Sequence, residues 1–192
     1  MQIGTWHCQS GNIRITDPCY DRNSSYNLLI DNIITGIWNA KITYELYDFF
    51  FTNDKYTEKI SSLLTWHYDY DVFSSKDWQK YSYGIITNTA QVGVFDDMYY
   101  PINDTGTYYK NTFYRKCCNN ATSKNKFGLV AYNNKYFGVN TAIEFGNGIF
   151  PIYIHKNKQN KINGIMINFT KPIVENLINI INNTHKKINK KV

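Results

Sequence analysis

IWNAKITYELY, Ile37 to Tyr47, is the stretch that decides the fold: Trp38, Ala40, Ile42 and Tyr44 alternate with Ile37, Asn39, Lys41 and Thr43. Successive side chains of a strand point to opposite faces, so the first set is expected to face a core and the second to face away from it. Further strand signals occur at Gly84 to Asp96, Phe127 to Tyr132, Tyr136 to Ile143, Phe150 to His155 and Lys161 to Phe169, separated by turns rich in Gly and Asn. Many short strands between such turns predict a mainly β protein, an antiparallel sandwich or barrel-like domain over residues 1–169.

The remaining segments are less regular. Thr5 to Ile15 carries Ser10 and Gly11 between two short alternating runs, which predicts a hairpin, and Asp17 and Pro18 then stop the pairing. Lys59 to Tyr70 fits two periods: Ile60, Leu63, Leu64 and His67 suit a helix face, whereas Ile60, Ser62, Leu64 and Trp66 suit one side of a strand. Tyr99 to Lys126, rich in Tyr, Asn, Thr and Lys, is expected to be a long excursion forming a hairpin. From Thr170 to Val192 the period changes: Thr170 can cap a helix, Pro172 suits its first turn, and Ile173, Val174, Leu177, Ile178 and Ile181 form an apolar stripe. An amphipathic helix with a basic tip, docked on the β domain, is expected there.

The chain has 192 residues, enough to bury a core without disulfides or metal, and its 43% hydrophobic and 17% aromatic content excludes disorder for most of its length. Its +6 charge is concentrated at one end: from His155 to Val192 there are eight lysines against one glutamate, while the rest carries thirteen basic and fourteen acidic residues. A near-neutral body does not resemble a dedicated nucleic-acid binder. Neither a signal peptide nor a transmembrane run is read at Met1 to Tyr20 or elsewhere, so a soluble, cytoplasmic protein with no membrane partner is expected. Cys8, Cys19, Cys117 and Cys118 form no C-x-x-C framework and are read as reduced thiols; no metal and no cofactor is expected.

Three motifs stand out: ITDPCY at Ile15 to Tyr20, AQVGVFDD at Ala90 to Asp97 and FGNGIFPIY at Phe145 to Tyr153. With SGNIRITDPCY, GIWNAKITY, SLLTWH and a terminal MINF, their order from about Gly4 to Phe169 resembles a family of small bacterial and viral proteins related to the domain-of-unknown-function family numbered 4241. The resemblance implies that Lys59 to His67 is a strand. The family tends to carry Asp in its DSGQ and GDG segments, where this chain has Asn88 and Asn147. Asn is neither a carboxylate base nor a strong ligand for hard cations, which weakens an acidic-cluster role, while Asp17 and Asp96 remain as matching acids.

Several chemistries are compatible with these residues. The reading preferred from sequence is a non-catalytic module that binds a small polar or anionic ligand, or a protein, through loops gathering Asp17, Gln91, Asp96 and Asn147. Backbone amides around Gly146 and Gly148 offer an anion nest or, more simply, a tight hairpin turn. The runner-up is a hydrolase in which His67 activates Cys19 and Asp17 or Asp96 orients the imidazole. A zinc site of His7, Cys8, Cys19 and His67 is disfavoured, since neighbours His7 and Cys8 point to opposite faces of a strand. A third reading is nucleic-acid binding through the basic and aromatic stretch Tyr108 to Lys126 and the lysine-rich tail. The oligomeric state is not readable.

Overall fold

The computed structural model describes residues 1–47, 57–71, 77–102 and 112–170. The C-terminal helix expected over Thr170 to Val192 falls on residues 171–192, outside the described ones, as do Tyr108, Tyr109 and Lys110.

The described chain is mainly β and is built from two antiparallel sheets packed as a sandwich. The strands are β1 (Gln2–Cys8), β2 (Ile13–Thr16), β3 (Leu28–Ile30), β4 (Gly36–Tyr47), β5 (Thr57–His67), β6 (Gln79–Thr87), β7 (Gln91–Asp96), β8 (Phe127–Tyr132), β9 (Lys135–Ala142), β10 (Gly148–Lys156) and β11 (Ile162–Asn168). A six-stranded sheet runs β1-β4-β5-β11-β10-β6 and a five-stranded sheet runs β3-β2-β7-β9-β8. Helix α1 (Phe113–Thr122) lies on the five-stranded sheet.

The alternation in β4 holds: Trp38, Ala40 and Ile42 are buried and Tyr44 packs against the same core, while Ile37 is exposed. Opposite them β5 is a strand, as the family resemblance implies. Its register slips by one residue where Thr43 pairs with Ser62 and Tyr44 with Ile60. That bulge at Ser61 explains why two periods compete in β5: Ile60 and Leu63 both reach the core, which an unbroken strand would forbid. Core residues come from both sheets, with Trp6, Trp38, Leu63 and Ile165 on one side and Ile13, Ile15, Val94 and Val139 on the other.

Two local expectations are corrected. β1 and β2 do not form a hairpin: β1 pairs with β4 and β2 with β3 and β7, in different sheets. The turn between them is held instead by Asp96 at the end of β7, whose carboxylate accepts from the amides of Gln9 and Ser10 and from the Ser10 hydroxyl, while Gly11 takes a positive φ of 73°. Likewise, the described part of Tyr99 to Lys126 is helical rather than a hairpin. Thr112 caps α1 by accepting from the Arg115 amide at 3.2 Å, and Phe113, Cys117 and Cys118 share its buried face.

The β8–β9 hairpin turns on Asn133 and Asn134, with φ of 47° and 61°, the mirror-image geometry that matches strand twist. On the outer face of the five-stranded sheet, the Phe95 ring lies flat across two glycines. A Cβ at Gly93 would come within 2.1 Å of that ring, and one at Gly138 within 2.5 Å. Gly93 in AQVGVFDD is therefore required by space.

Candidate functional site

Two of the three motifs lie at crossings between the sheets, and the third, ITDPCY, follows β2 within the five-stranded sheet and supplies Asp17 to one of them. The turn at residues 88–90 carries the chain from β6 in one sheet to β7 in the other, and the FGNG segment carries it from β9 to β10. Asp17, fully buried, grips the first corner: Oδ2 accepts from the amides of Asn88 at 2.8 Å and Thr89 at 2.6 Å, and Oδ1 from the Thr89 hydroxyl at 2.6 Å and the Cys19 amide at 3.1 Å. Asn147 reaches the same corner, its Oδ1 accepting from the amide of Ala90 at 2.7 Å; Ala90 has a φ of 53°. Gly146 has a φ of 84° in a turn that joins the two sheets, so it serves a crossing rather than a hairpin.

Of the four residues expected to gather, the structure thus brings Asp17 and Asn147 to one corner. Asp96 lies at the far end of β7, where Oδ1 also accepts from the Met98 amide at 3.1 Å. Gln91 follows the corner but is buried beneath α1, donating to Cys118 Sγ at 3.6 Å and accepting from Asn140 at 3.5 Å. Each of the two carboxylates accepts four hydrogen bonds from its own chain, the pattern of structural clamps.

Cys19 and His67 have different neighbours. Cys19 sits beside Asp17 and Thr89; burial and then the Asp17 carboxylate push its thiol up to about 12, against thiolate formation. His67 ends β5 at the other sheet, its Nε2 3.2 Å from the Thr35 carbonyl and its Nδ1 accepting from the Asp69 amide at 3.4 Å. Its ring meets Trp38 and Tyr70 edge-on, and a Cβ at Gly36 would stand 2.7 Å from Nε2. An open depression of about 450 Å³ borders it, lined by Ile34 to Ile37 and His67 to Tyr70. His7 is exposed and Cys8 buried, on opposite faces of β1, and among the described residues no three His, Cys, Asp or Glu side chains are grouped to hold a metal ion. No helix among them is long and apolar enough to cross a membrane.

A better-formed cleft of about 430 Å³ lies between α1, the β8–β9 pair and the 3₁₀ turn Asp97–Tyr99. Tyr99, Phe113, Tyr132 and Phe137 supply aromatic walls, and Arg22 and Lys116 supply charge. Behind it, Asp97 is shared by two guanidiniums: Oδ1 accepts from Arg14 and Oδ2 from Arg22, each at 2.7 Å. Arg14 also stacks over the Tyr100 ring at 5.2 Å. One carboxylate against two guanidiniums leaves a positive charge uncompensated within the triad, and Lys116 adds another at the wall. Arg22 keeps donors to spare after binding Asp97 and the Tyr100 carbonyl, because a guanidinium carries five N–H groups.

Sequence reasoning reached Lys116, as part of the basic and aromatic stretch, but missed Arg22, Tyr99, Tyr132 and Phe137. They lie on four separate segments, and no spacing in the chain links them. Comparison with protein-family models, curated proteins and solved structures finds no match to this chain.

Proposed function

We propose that this protein is a non-catalytic binding module for a small anionic ligand, held in the cleft beside α1. The observation that carries this reading is the pair of cations, Arg22 and Lys116, in the lining of an aromatic pocket, with Arg14 sharing Asp97 behind it. A pocket of this volume, apolar with a few placed polar groups, is the usual form of a small-molecule site. The separate surroundings of Cys19 and His67, and the suppressed ionisation of Cys19, favour binding over hydrolysis. The motif order from Gly4 to Phe169 supports membership of the family it resembles, with Asp17 and Asp96 as matching residues that hold turns of the fold.

Isothermal titration against a panel of small phosphates and carboxylates tests the reading. At least one anion is expected to bind, and Arg22→Gln with Lys116→Gln should weaken it tenfold or more while circular dichroism shows an intact fold. Absence of binding across the panel at millimolar concentration, or an undiminished affinity in the double variant, would refute it.

A further inference from the structure

Resting on that reading, we infer that the ligand is a flat aromatic molecule with its anionic group at one end. Two of the cleft's tyrosines have their hydroxyls engaged within the protein: Tyr99 donates its hydroxyl to Gln9 Oε1, and the Tyr100 hydroxyl donates to the Tyr20 carbonyl at 2.7 Å. Among the described residues Arg22 and Lys116 are the charged side chains of the lining, which directs polar recognition to an anion, while the rest of the described wall offers π faces and apolar edges. Tyr99 stands with its ring centroid 6.3 Å from Tyr132 and 5.9 Å from Phe137, an aromatic platform continuous along one side.

The rim is apolar as well as accessible. Tyr132 is 53% exposed, Met98 56% and Ile102 61%. Large apolar groups clustered at a concave, positively charged site mark a surface that a ligand covers. A planar ring laid on such a platform gains stacking energy, sequence-tolerant in the case of a nucleobase, that an aliphatic chain of equal area does not. Nucleoside monophosphates and polycyclic aromatic carboxylates share this chemistry.

Titration of the full chain with AMP, 2-naphthoate, ribose 5-phosphate, hexanoate and adenosine separates the possibilities. At least one of AMP and 2-naphthoate is expected to bind tenfold or more tightly than its non-aromatic counterpart, ribose 5-phosphate or hexanoate, and which of the two does so identifies the source of the anion. Tyr132→Ala should lose about tenfold for the aromatic anions alone, and Tyr132→Phe should restore it. Equal affinity for aromatic and aliphatic anions overturns the inference and leaves the anion-binding reading standing. Adenosine binding as tightly as AMP overturns the anionic requirement and leaves the aromatic one. No binding by any of the five overturns both.

Discussion

The two faces of the five-stranded sheet are buried in different ways. Its inner face is aliphatic, with Ile13, Ile15, Val92, Val94 and Val139 meeting the six-stranded sheet. Its outer face is aromatic and polar: Phe95, Phe113 and Phe137 cluster under α1, and buried Asn140 donates to the Cys117 carbonyl at 2.9 Å and accepts from Asn120 at 2.8 Å. The aliphatic layer is buried because sheet packs on sheet. Among the described residues one short helix lies on the opposite face, and the aromatic cleft opens beside it. The difference teaches that the proposed binding site lies where burial by the described residues is incomplete.

The most severe way to break that comparison is at adjacent residues of β7 that face opposite ways. Phe95→Ala is expected to cost about 3 to 5 kcal/mol, and Val94→Ala roughly 2 kcal/mol, by urea denaturation. If the α1 layer is only loosely attached, Phe95→Ala will cost less than Val94→Ala and the outer face is not a true core.

Next in size is the corner that sets one sheet against the other. Asp17→Ala strips an acceptor from three backbone amides and a hydroxyl at once, with an expected loss of about 3 kcal/mol. Asp17→Asn, which keeps one oxygen, should lose about half as much. A neutral Asp17→Ala variant would mean that core packing alone positions the sheets.

Alkaline pH gives the most graded test. Burial pushes the Cys8 thiol up to about 12, and raises Cys117 and Tyr100 well above their ordinary values. A pKa raised in the folded state means that the unfolded chain ionises first. These contributions are therefore complete below about pH 8.5 for the thiols and about pH 10 for Tyr100, and fall by up to about 1.4 kcal/mol per pH unit per group above those values. Two of the three groups lie on the outer face. Cys117→Ala with Tyr100→Phe should thus flatten the stability decline between pH 9 and 12 more than Cys8→Ala does, and a larger effect of Cys8→Ala would reverse the assignment.

How much was legible in the chain follows the same division. The core between the sheets was readable on the six-stranded side at Trp38, Ala40 and Ile42, because a strand with one apolar side leaves a period of two. At β5 the period failed for a specific reason, the bulge at Ser61, and the motif order supplied what periodicity could not. Helix α1 was missed because FYRKCCNNAT buries only Phe113, Cys117 and Cys118, too few apolar positions to stand out among polar neighbours. The β1–β2 hairpin was misread because a Ser-Gly turn between alternating runs looks the same whether the chain folds back or crosses to another sheet. Asp96, more than 80 residues away, makes the difference.

By itself, then, the sequence determined the class of fold and the marking of its turns, since both are set by short-range rules of alternation and backbone conformation. It also singled out Asp17, Asp96 and Asn147 as residues that matter, without saying for what. Only the tertiary structure decided that these are clamps, and that Arg22, Tyr99, Lys116 and Tyr132 line one cleft, because both facts depend on which distant segments meet around the corners of the sandwich.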